Sequence, residues 1–226
     1  MSEQSIANRA NKTKLMDNLA LIFILIMFIL AFYFYGHLPD KVISHWGADG
    51  QADGYSSKNF HTFFFPLLTI GIYLLFKYLP KIDPKRRNYE KFDLSYHGFR
   101  LVIIAFFVAM FIISSLINLG YNINISVAVS NLVGVLFIFI GLIIKNIEQN
   151  WFMGIRTPWT LSSETVWKKT HALAQKVFIL MGIIFFALPY LPVAYFAYFI
   201  ILLVVIMVFG TFGYSYWLYK KEEHNK

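Results

Sequence analysis

The sequence of 226 residues contains no cysteine and little charge. Without cysteine there are no disulfide bridges, no thiol catalysis and no Cys-ligated zinc, and His and the carboxylates are the remaining candidate metal ligands. Charged residues make up 14%, whereas 58% are hydrophobic and the mean hydropathy is +0.58. Soluble domains contain about 25% charged residues. The composition therefore predicts an integral membrane protein.

Six apolar segments approach or reach the roughly 20 residues that a transmembrane helix requires. We therefore predict an all-α, polytopic fold with six transmembrane helices. The first segment is too long for a signal-peptide core and lacks a small-residue cleavage pattern, so we expect it to be retained. The segments are residues 19–36, 62–79, 101–119, 125–144, 174–191 and 195–219.

Central charge is missing from these segments, since none carries Asp, Glu, Arg or His in its middle. Lys77 is the nearest exception, and its long side chain can reach the membrane interface. Ion-coupled transporters and voltage sensors usually need charge within the membrane. A His-Glu-x-x-His pair is also missing, so intramembrane metalloprotease chemistry has no support.

A net charge of +8 is compatible with nucleic-acid binding, but the cations follow the bilayer instead. Eighteen of the 20 Lys and Arg residues lie in the termini, in the second and fourth connections or at the span ends that adjoin them, and only Lys41 and Lys58 lie in the other connections. The positive-inside rule then places both termini in the cytoplasm. We expect a lipid bilayer as partner and no direct contact with nucleic acid.

Small and polar residues mark two of the predicted spans. Span four carries a small-residue face that favours close helix approach. The polar residues beside it and in span three can hydrogen-bond across the bundle or line a polar substrate path. The small residues are Ser126, Ser130, Gly134 and Gly141, and the polar ones are Ser114, Ser115, Asn118 and Asn131.

The first connection, which we call the hairpin loop (residues 37–61), is rich in Gly and Asp. These residues tolerate the backbone angles of tight turns, so we predict an ordered extracellular loop. His45, Asp49 and Asp53 could ligate a cation, but their spacing matches no calcium or zinc template. A turn-forming role is favoured, and we predict no metal site and no cofactor.

The fourth connection, which we call the motif loop (residues 145–173), holds three of the five tryptophans. Ser162 or Ser163 can cap a helix that continues into span five. On that helix Trp167, Thr170, His171 and Ala174 share one face, which favours either an interfacial helix lying on anionic lipid or a functional surface. The Arg-Thr-Pro turn before it is not explained by an interfacial helix.

Both loops carry the residues of a known family. The motif loop resembles the signature of the SdpI family of bacterial toxin immunity proteins, and the hairpin loop looks like the short domain of unknown function that commonly precedes it. The resembling motif residues are residues 154–160, Ser163, Glu164, Val166, Trp167, Thr170 and His171. Those of the hairpin loop are Leu38, Pro39, His45, Trp46, Gly50, Asp53, Gly54 and Lys58.

The resemblance implies a multi-pass protein of the bacterial plasma membrane that gives resistance to a secreted antimicrobial peptide. It also implies a receptor role, in which toxin binding lets the protein hold a cytoplasmic transcriptional repressor at the membrane. Two regions follow: residues 1–80, with two helices and the hairpin loop, and residues 81–226, with four helices and the motif loop.

Candidate site residues lie in both loops. We expect Arg156 to carry the motif's function, and Arg156→Lys and Trp167→Ala to abolish protection while the protein still accumulates in the membrane. The candidate toxin-binding residues are His45, Trp46, Asp49, Asp53, Tyr55 and Lys58. The candidate motif residues are Asn150, Gly154, Arg156, Thr157, Pro158, Trp159, Ser163, Trp167 and His171.

Two other functions remain open at this point. One is a transporter or exporter of a small molecule, lipid or peptide, which the missing intramembrane charge disfavours. The other is an enzyme acting on lipid or peptidoglycan precursors, with His45, Asp49 and Asp53, or Arg156 and His171, as its polar groups. Because no nucleophile and base stand in a recognisable arrangement, we expect no enzymatic activity.

Overall fold

Residues 3–225 are described by a computed structural model, apart from the side chains of residues 193, 196 and 197. The fold is mostly helical and includes one two-stranded antiparallel sheet. Short 3-10 turns cover Arg86–Lys91 and Leu188–Tyr190. The elements are α1 Glu3–His37, β1 Lys41–Trp46, β2 Ala52–Ser57, α2 Lys58–Ile82, α3 Asp93–Asn118, α4 Ile125–Ile144, α5 Pro158–Ser162, α6 Glu164–Ala187 and α7 Val193–His224.

Six helices of the described chain are long and apolar enough to cross a membrane, which confirms the predicted number of spans. They are α1, α2, α3, α4, α6 and α7. The ends of these helices differ from the ends of the apolar segments. The described part of α1 extends back to Glu3, because the polar stretch before residue 19, with Arg9 and Lys14, consists largely of residues that helices accommodate well. Hydrophobicity marks where a helix can meet lipid and does not mark where the helix ends.

The hairpin loop departs from the all-α prediction, because β1 and β2 pair in an antiparallel hairpin. Lys41 lies opposite Ser57, and Trp46 lies opposite Ala52, with irregular register near His45. At the turn, Gly50 has a φ of +76°, which glycine adopts without steric cost. The second strand leads directly into α2 at Lys58, so the loop is shorter than its predicted length.

Contacts divide the chain into two compact units, of which the first comprises the residues up to Lys77 together with Arg100–Val133. Its core is a stripe on α1 at alternating spacings of four and three residues, packed with Val42 of β1 and with residues of α3. This spacing keeps one helix face turned towards its neighbours. The α1 stripe is Ala20, Ile24, Met27, Ala31 and Phe34.

Polar groups also lie inside the first unit. Arg100, 3% exposed, forms an ion pair with Asp17, and its guanidinium lies over the Tyr73 ring at 4.9 Å. Towards the other end of α3, Nε2 of buried His61 lies 3.0 Å from Oγ of buried Ser115. Asp17, His61 and Arg100 lie just outside the predicted apolar segments, in agreement with the lack of charge in the middle of those segments.

The second unit comprises Tyr78–Phe99 and Gly134–Lys226. Here the small-residue face of α4 packs closely on α6, because a Cβ added to Gly134 would lie 2.8 Å from the carbonyl oxygen of Gly182. At Gly141 an added Cβ would lie 2.6 Å from a side-chain carbon of Ile179. The packing role predicted for this face is confirmed at these two positions. The sequence division at residue 80 concerns family regions rather than packing and stays a prediction.

Candidate functional site

Asn150 is the centre of the motif loop and is completely buried. Its side-chain oxygen accepts hydrogen bonds from the backbone N–H groups of Phe152 and Met153, at 2.9 and 2.6 Å. Its amide nitrogen donates to the carbonyls of Glu148 and Met153, both at 2.9 Å. The Asn150 side chain therefore supplies hydrogen-bond partners to backbone groups of a tight turn that lies outside any helix or strand, and buried backbone groups require such partners.

A buried carboxylate, Asp83, joins this turn to the connection after α2. One oxygen accepts from the Tyr89 hydroxyl at 2.9 Å and from the Trp151 backbone N–H at 3.0 Å. The other accepts from the Lys85 backbone N–H at 2.7 Å. Burial, with Asp83 close by, raises the pKa of Tyr89, because both disfavour a phenolate. The tyrosine is therefore a permanent donor to Asp83.

Gln149 makes a second connection. Its amide nitrogen donates to the carbonyls of Thr160 and Leu161, at 2.6 and 2.9 Å, and its side-chain oxygen accepts from the Lys85 ammonium. Its backbone carbonyl accepts from the Asn88 amide at 2.7 Å. One side chain thus links the turn to α5, and the residue's backbone links it to the 3-10 turn.

Gly154 lies against the rings of Trp167 and His171. Its φ is +108°, and an added Cβ would lie 2.4 Å from Nε2 of His171. The next residue, Ile155, donates its backbone N–H to that same nitrogen at 3.1 Å. The Trp167 and His171 rings are stacked with centroids 4.1 Å apart, and the indole donates to the Ile147 carbonyl at 2.7 Å. Only glycine fits here.

The Arg-Thr-Pro turn is a helix start. Thr157 caps α5: its hydroxyl accepts from the Thr160 N–H at 3.1 Å, while the Thr160 hydroxyl accepts from the Thr157 N–H at 2.8 Å. Pro158 occupies the first helical turn, where its missing N–H costs nothing. Thr157 also lies 3.1 Å from the Ser215 hydroxyl of α7, and Trp159 packs on Phe212. These contacts seat α5 on α7.

Ser163 caps α6, as one of the two predicted alternatives. Its hydroxyl accepts from the Val166 N–H at 3.2 Å and donates to Glu222 at 2.6 Å. The helix face, for which lipid contact was one of two alternatives, is buried in protein. Its members, each at most 1% exposed, are Trp167, Thr170, His171 and Ala174.

Arg156 differs from the buried motif residues, such as Asn150, Trp167 and His171, because its charged side chain is exposed. One guanidinium nitrogen donates to the Trp151 carbonyl at 2.6 Å, across the turn that Asn150 organises. Arg carries five N–H donors, so this bond uses a small part of its capacity. The structure therefore presents Arg156 at the rim of a loop that the buried motif residues hold.

The predicted residues of the hairpin loop lie on and beside the sheet. Nδ1 of His45 lies 2.5 Å from Asp53, with both side chains exposed. Asp49 accepts from the Gln51 N–H at 3.0 Å, which is a turn-forming role. The Tyr55 ring lies 4.6 Å from the Lys41 ammonium. Trp46, at the end of β1, is half-buried.

Lys58 is the last predicted residue of this loop and pairs with Asp40 at 2.9 Å. This hydrogen bond lowers the pKa of Asp40, since it favours the carboxylate. The backbone N–H of Lys58 also donates to the Asp40 carbonyl at 3.0 Å. The pair thus closes the base of the hairpin. Among residues 3–225 no group of three or more His, Asp or Glu could hold a metal ion.

Some residues of the two sites were absent from the sequence-based set. Asp83, Gln149 and Thr160 carry much of the motif loop's hydrogen bonding, and Asn118 of α3 holds the hairpin. Asp83 stands before Pro84, which is a turn signal. Asn118 was noted as a polar residue able to hydrogen-bond across the bundle and Thr160 as part of the family motif, but neither spacing nor composition assigns them these partners or marks Gln149 at all.

Comparison with known proteins supports the family resemblance of both loops. The profile of the SdpI/YfhL protein family matches residues 146–215, and that of a domain of unknown function, DUF1648, matches residues 22–70. The chain is 30% identical over 166 residues to the immunity protein SdpI of Bacillus subtilis (strain 168), covering 74% of this chain and 77% of that protein. No solved structure matches significantly.

Proposed function

Because the chain belongs to the SdpI/YfhL protein family, we propose that it is a multi-pass plasma-membrane immunity protein that protects its cell against a secreted peptide toxin. The similarity to an immunity protein over most of both chains carries this proposal. Six helices long and apolar enough to cross a membrane support this location, where a toxin of this kind would meet the protein.

The hairpin is the toxin-facing surface in this proposal. A hairpin anchored to the helices displays Tyr55, His45 and Asp53 at exposed positions, and rigid display lowers the entropic cost of binding a flexible peptide. Val42 anchors it, being fully buried against the α1 and α3 core. Aromatic and charged side chains contribute most of the binding energy in many protein interfaces, and the hairpin exposes side chains of both kinds.

The motif loop is the surface that acts on the cytoplasmic side, where a transcriptional repressor would be held. The support is that its buried residues hold one defined loop conformation, while the exposed Arg156 guanidinium remains able to fork to a carboxylate or phosphate. A receptor role further requires that toxin binding change this surface, which is a coupling between two sites.

We further propose that the protein acts without catalysis. Both ring nitrogens of His171 are engaged, by the Ile155 N–H and by the Trp167 carbonyl. Asp49 serves the hairpin turn. Two of the five residues named for an enzymatic alternative, His171 and Asp49, thus have structural roles. No observation favours the transporter alternative over immunity.

Immunity is tested by expressing the chain in a sensitive Gram-positive strain and measuring killing by a purified SDP-like peptide. We expect survival to rise with the unsubstituted chain, and the Arg156→Lys variant to lose protection because Lys cannot copy the planar fork. Lys169→Arg is the matched control, since it makes the reverse change at an exposed position of the same loop.

A membrane-fraction immunoblot accompanies each killing curve, so that loss of protein is not mistaken for loss of function. Unchanged killing against a panel of such peptides, with the chain present in the membrane, would refute immunity. Full protection by Arg156→Lys would leave immunity standing but remove Arg156 from it.

A further inference from the structure

Three large apolar side chains are exposed where the motif loop meets the end of α2. Ile82, the last residue of α2, is 67% exposed, Trp151 is 47% exposed and Phe152 is 36% exposed. Asp83 brings them together, because it follows Ile82 in the chain and accepts the Trp151 backbone N–H at 3.0 Å. All belong to the second unit. We call these three residues the apolar tip.

Cations surround the apolar tip. Residues 81–91 contain five basic side chains and two acidic ones, of which Asp83 is buried and bound by neutral donors. Arg86 and Arg87 are exposed, and the Arg86 backbone N–H donates to the Asp83 carbonyl at 3.0 Å. Arg156 reaches the same place from the motif loop, through its bond to the Trp151 carbonyl.

The end of a spanning helix determines the depth of this surface. Because α2 is long and apolar enough to cross the bilayer, its terminus at Ile82 lies near the membrane–water interface. Trp151, held to the adjacent Asp83, lies at the same depth. Amphipathic rings favour the headgroup region, and cations beside them attract anionic headgroups.

We propose that the apolar tip and its surrounding arginines form a docking surface for the headgroups of anionic phospholipids. The tip enters the interfacial layer, and Arg86, Arg87 and Arg156 hydrogen-bond to phosphate oxygens, for which guanidinium geometry is suited. The motif loop, through Trp151 and Phe152, is thereby held at the membrane surface. Charge complementarity selects this occupant over a zwitterionic surface or an apolar peptide.

The absence of cysteine permits a direct test. The full-length Phe152→Cys variant is labelled with an environment-sensitive aromatic fluorophore, which replaces the phenyl ring, and is reconstituted in nanodiscs of phosphatidylcholine with increasing phosphatidylglycerol. We expect a blue shift of the emission and stronger quenching by brominated acyl chains as phosphatidylglycerol increases. Salt at 1 M, where the Debye length is about 3 Å, should weaken both effects.

Removing two arginines, by Arg86→Gln and Arg87→Gln in the labelled chain, should weaken the apparent affinity for phosphatidylglycerol by about fivefold per cation, so the half-maximal change should move to a higher phosphatidylglycerol fraction. The control is Lys169→Gln with Lys221→Gln, which removes equal charge from exposed positions of α6 and α7. Partial proteolysis checks that each variant retains the fold.

Two outcomes would overturn the proposal. One is emission and quenching that do not depend on phosphatidylglycerol in the labelled chain that keeps all its arginines. This measurement does not require the arginine variants to fold. The other is an equal loss of lipid dependence in the control, which would assign the effect to net charge. If, in the first of these cases, an added acidic protein produces the shift that the lipid does not, the partner of this surface is a protein rather than the bilayer.

Discussion

His171 is bound through both ring nitrogens, and this determines its protonation state. Since the Ile155 N–H donates to Nε2, that nitrogen must offer a lone pair. Nδ1 then carries the proton that it donates to the Trp167 carbonyl at 2.8 Å. A protonated ring would place two N–H groups against each other. His171 is thus a neutral structural group, and the motif loop depends on Gly154 to let it approach.

Gly154→Ala is expected to unfold the motif loop. The new methyl group would overlap His171 Nε2, and alanine at a φ of +108° adds strain, so we expect a loss of about 2 kcal/mol or more. Thermal unfolding of the purified protein in detergent measures the loss. Gly71→Ala is the control, because an added Cβ there has nothing within 4 Å. An unchanged unfolding temperature for Gly154→Ala would contradict the described loop.

Among the elements, the β hairpin is held by a side chain that imitates a strand. The Asn118 side-chain oxygen accepts the Ile43 N–H at 2.6 Å, and its amide nitrogen donates to the Ile43 carbonyl at 3.0 Å. This amide occupies the backbone groups of β1 as a third strand would. Two-stranded hairpins alone are marginally stable in water. The α3 helix therefore contributes to the order of the hairpin through one residue.

Asn118→Ala should loosen the hairpin without affecting the helices. Two hydrogen bonds are lost, at about 1 kcal/mol each, so the amides of β1 should exchange with solvent at least about tenfold faster. Hydrogen exchange measured by mass spectrometry in detergent reports this region directly. Asn122→Ala, at an exposed position just beyond α3, is the control. Equal protection of residues 41–46 in both variants would contradict the anchoring role.

The elements also show what sequence can and cannot predict. Six spans follow from long apolar segments, and the Ser163 cap follows from local chemistry. The hairpin does not follow, because half of β2 is Gly, Ala and Asp, residues that strands usually disfavour. Its pairing depends on Asn118, which is distant in sequence.

Prediction from sequence is limited in the same way for the motif loop. Periodicity placed Trp167 and His171 on one helix face, but it did not reveal whether protein or lipid covers that face. The structure buries Trp167 and bonds its indole to Ile147. Truncation would leave a cavity that costs about 3–5 kcal/mol. Trp167→Ala is therefore expected to remove folded protein, contrary to the sequence-based expectation, and only Arg156→Lys tests function separately.

For the whole molecule, the distribution of charge predicts the orientation in the membrane, and the structure adds one refinement. Arg100 belongs to the 18 cations that predict cytoplasmic termini, yet it is buried and paired with Asp17. Its charge is compensated within the first unit and should contribute little to topology. The exposed Arg86 and Arg87 have more influence, because positive charges near the ends of spans determine orientation.

Both termini, together with the connections around Arg87 and Lys169, are expected to lie in the cytoplasm, since the remaining cations of these segments still greatly outnumber Lys41 and Lys58. Alkaline phosphatase, which is active only outside the cytoplasm, should be active when fused after Asp49 and inactive when fused after Arg87 or Lys169. Immunoblots normalise for expression. The Arg100→Gln chain is expected to give the same pattern, whereas a phosphatase active after Arg87 would refute the six-span orientation.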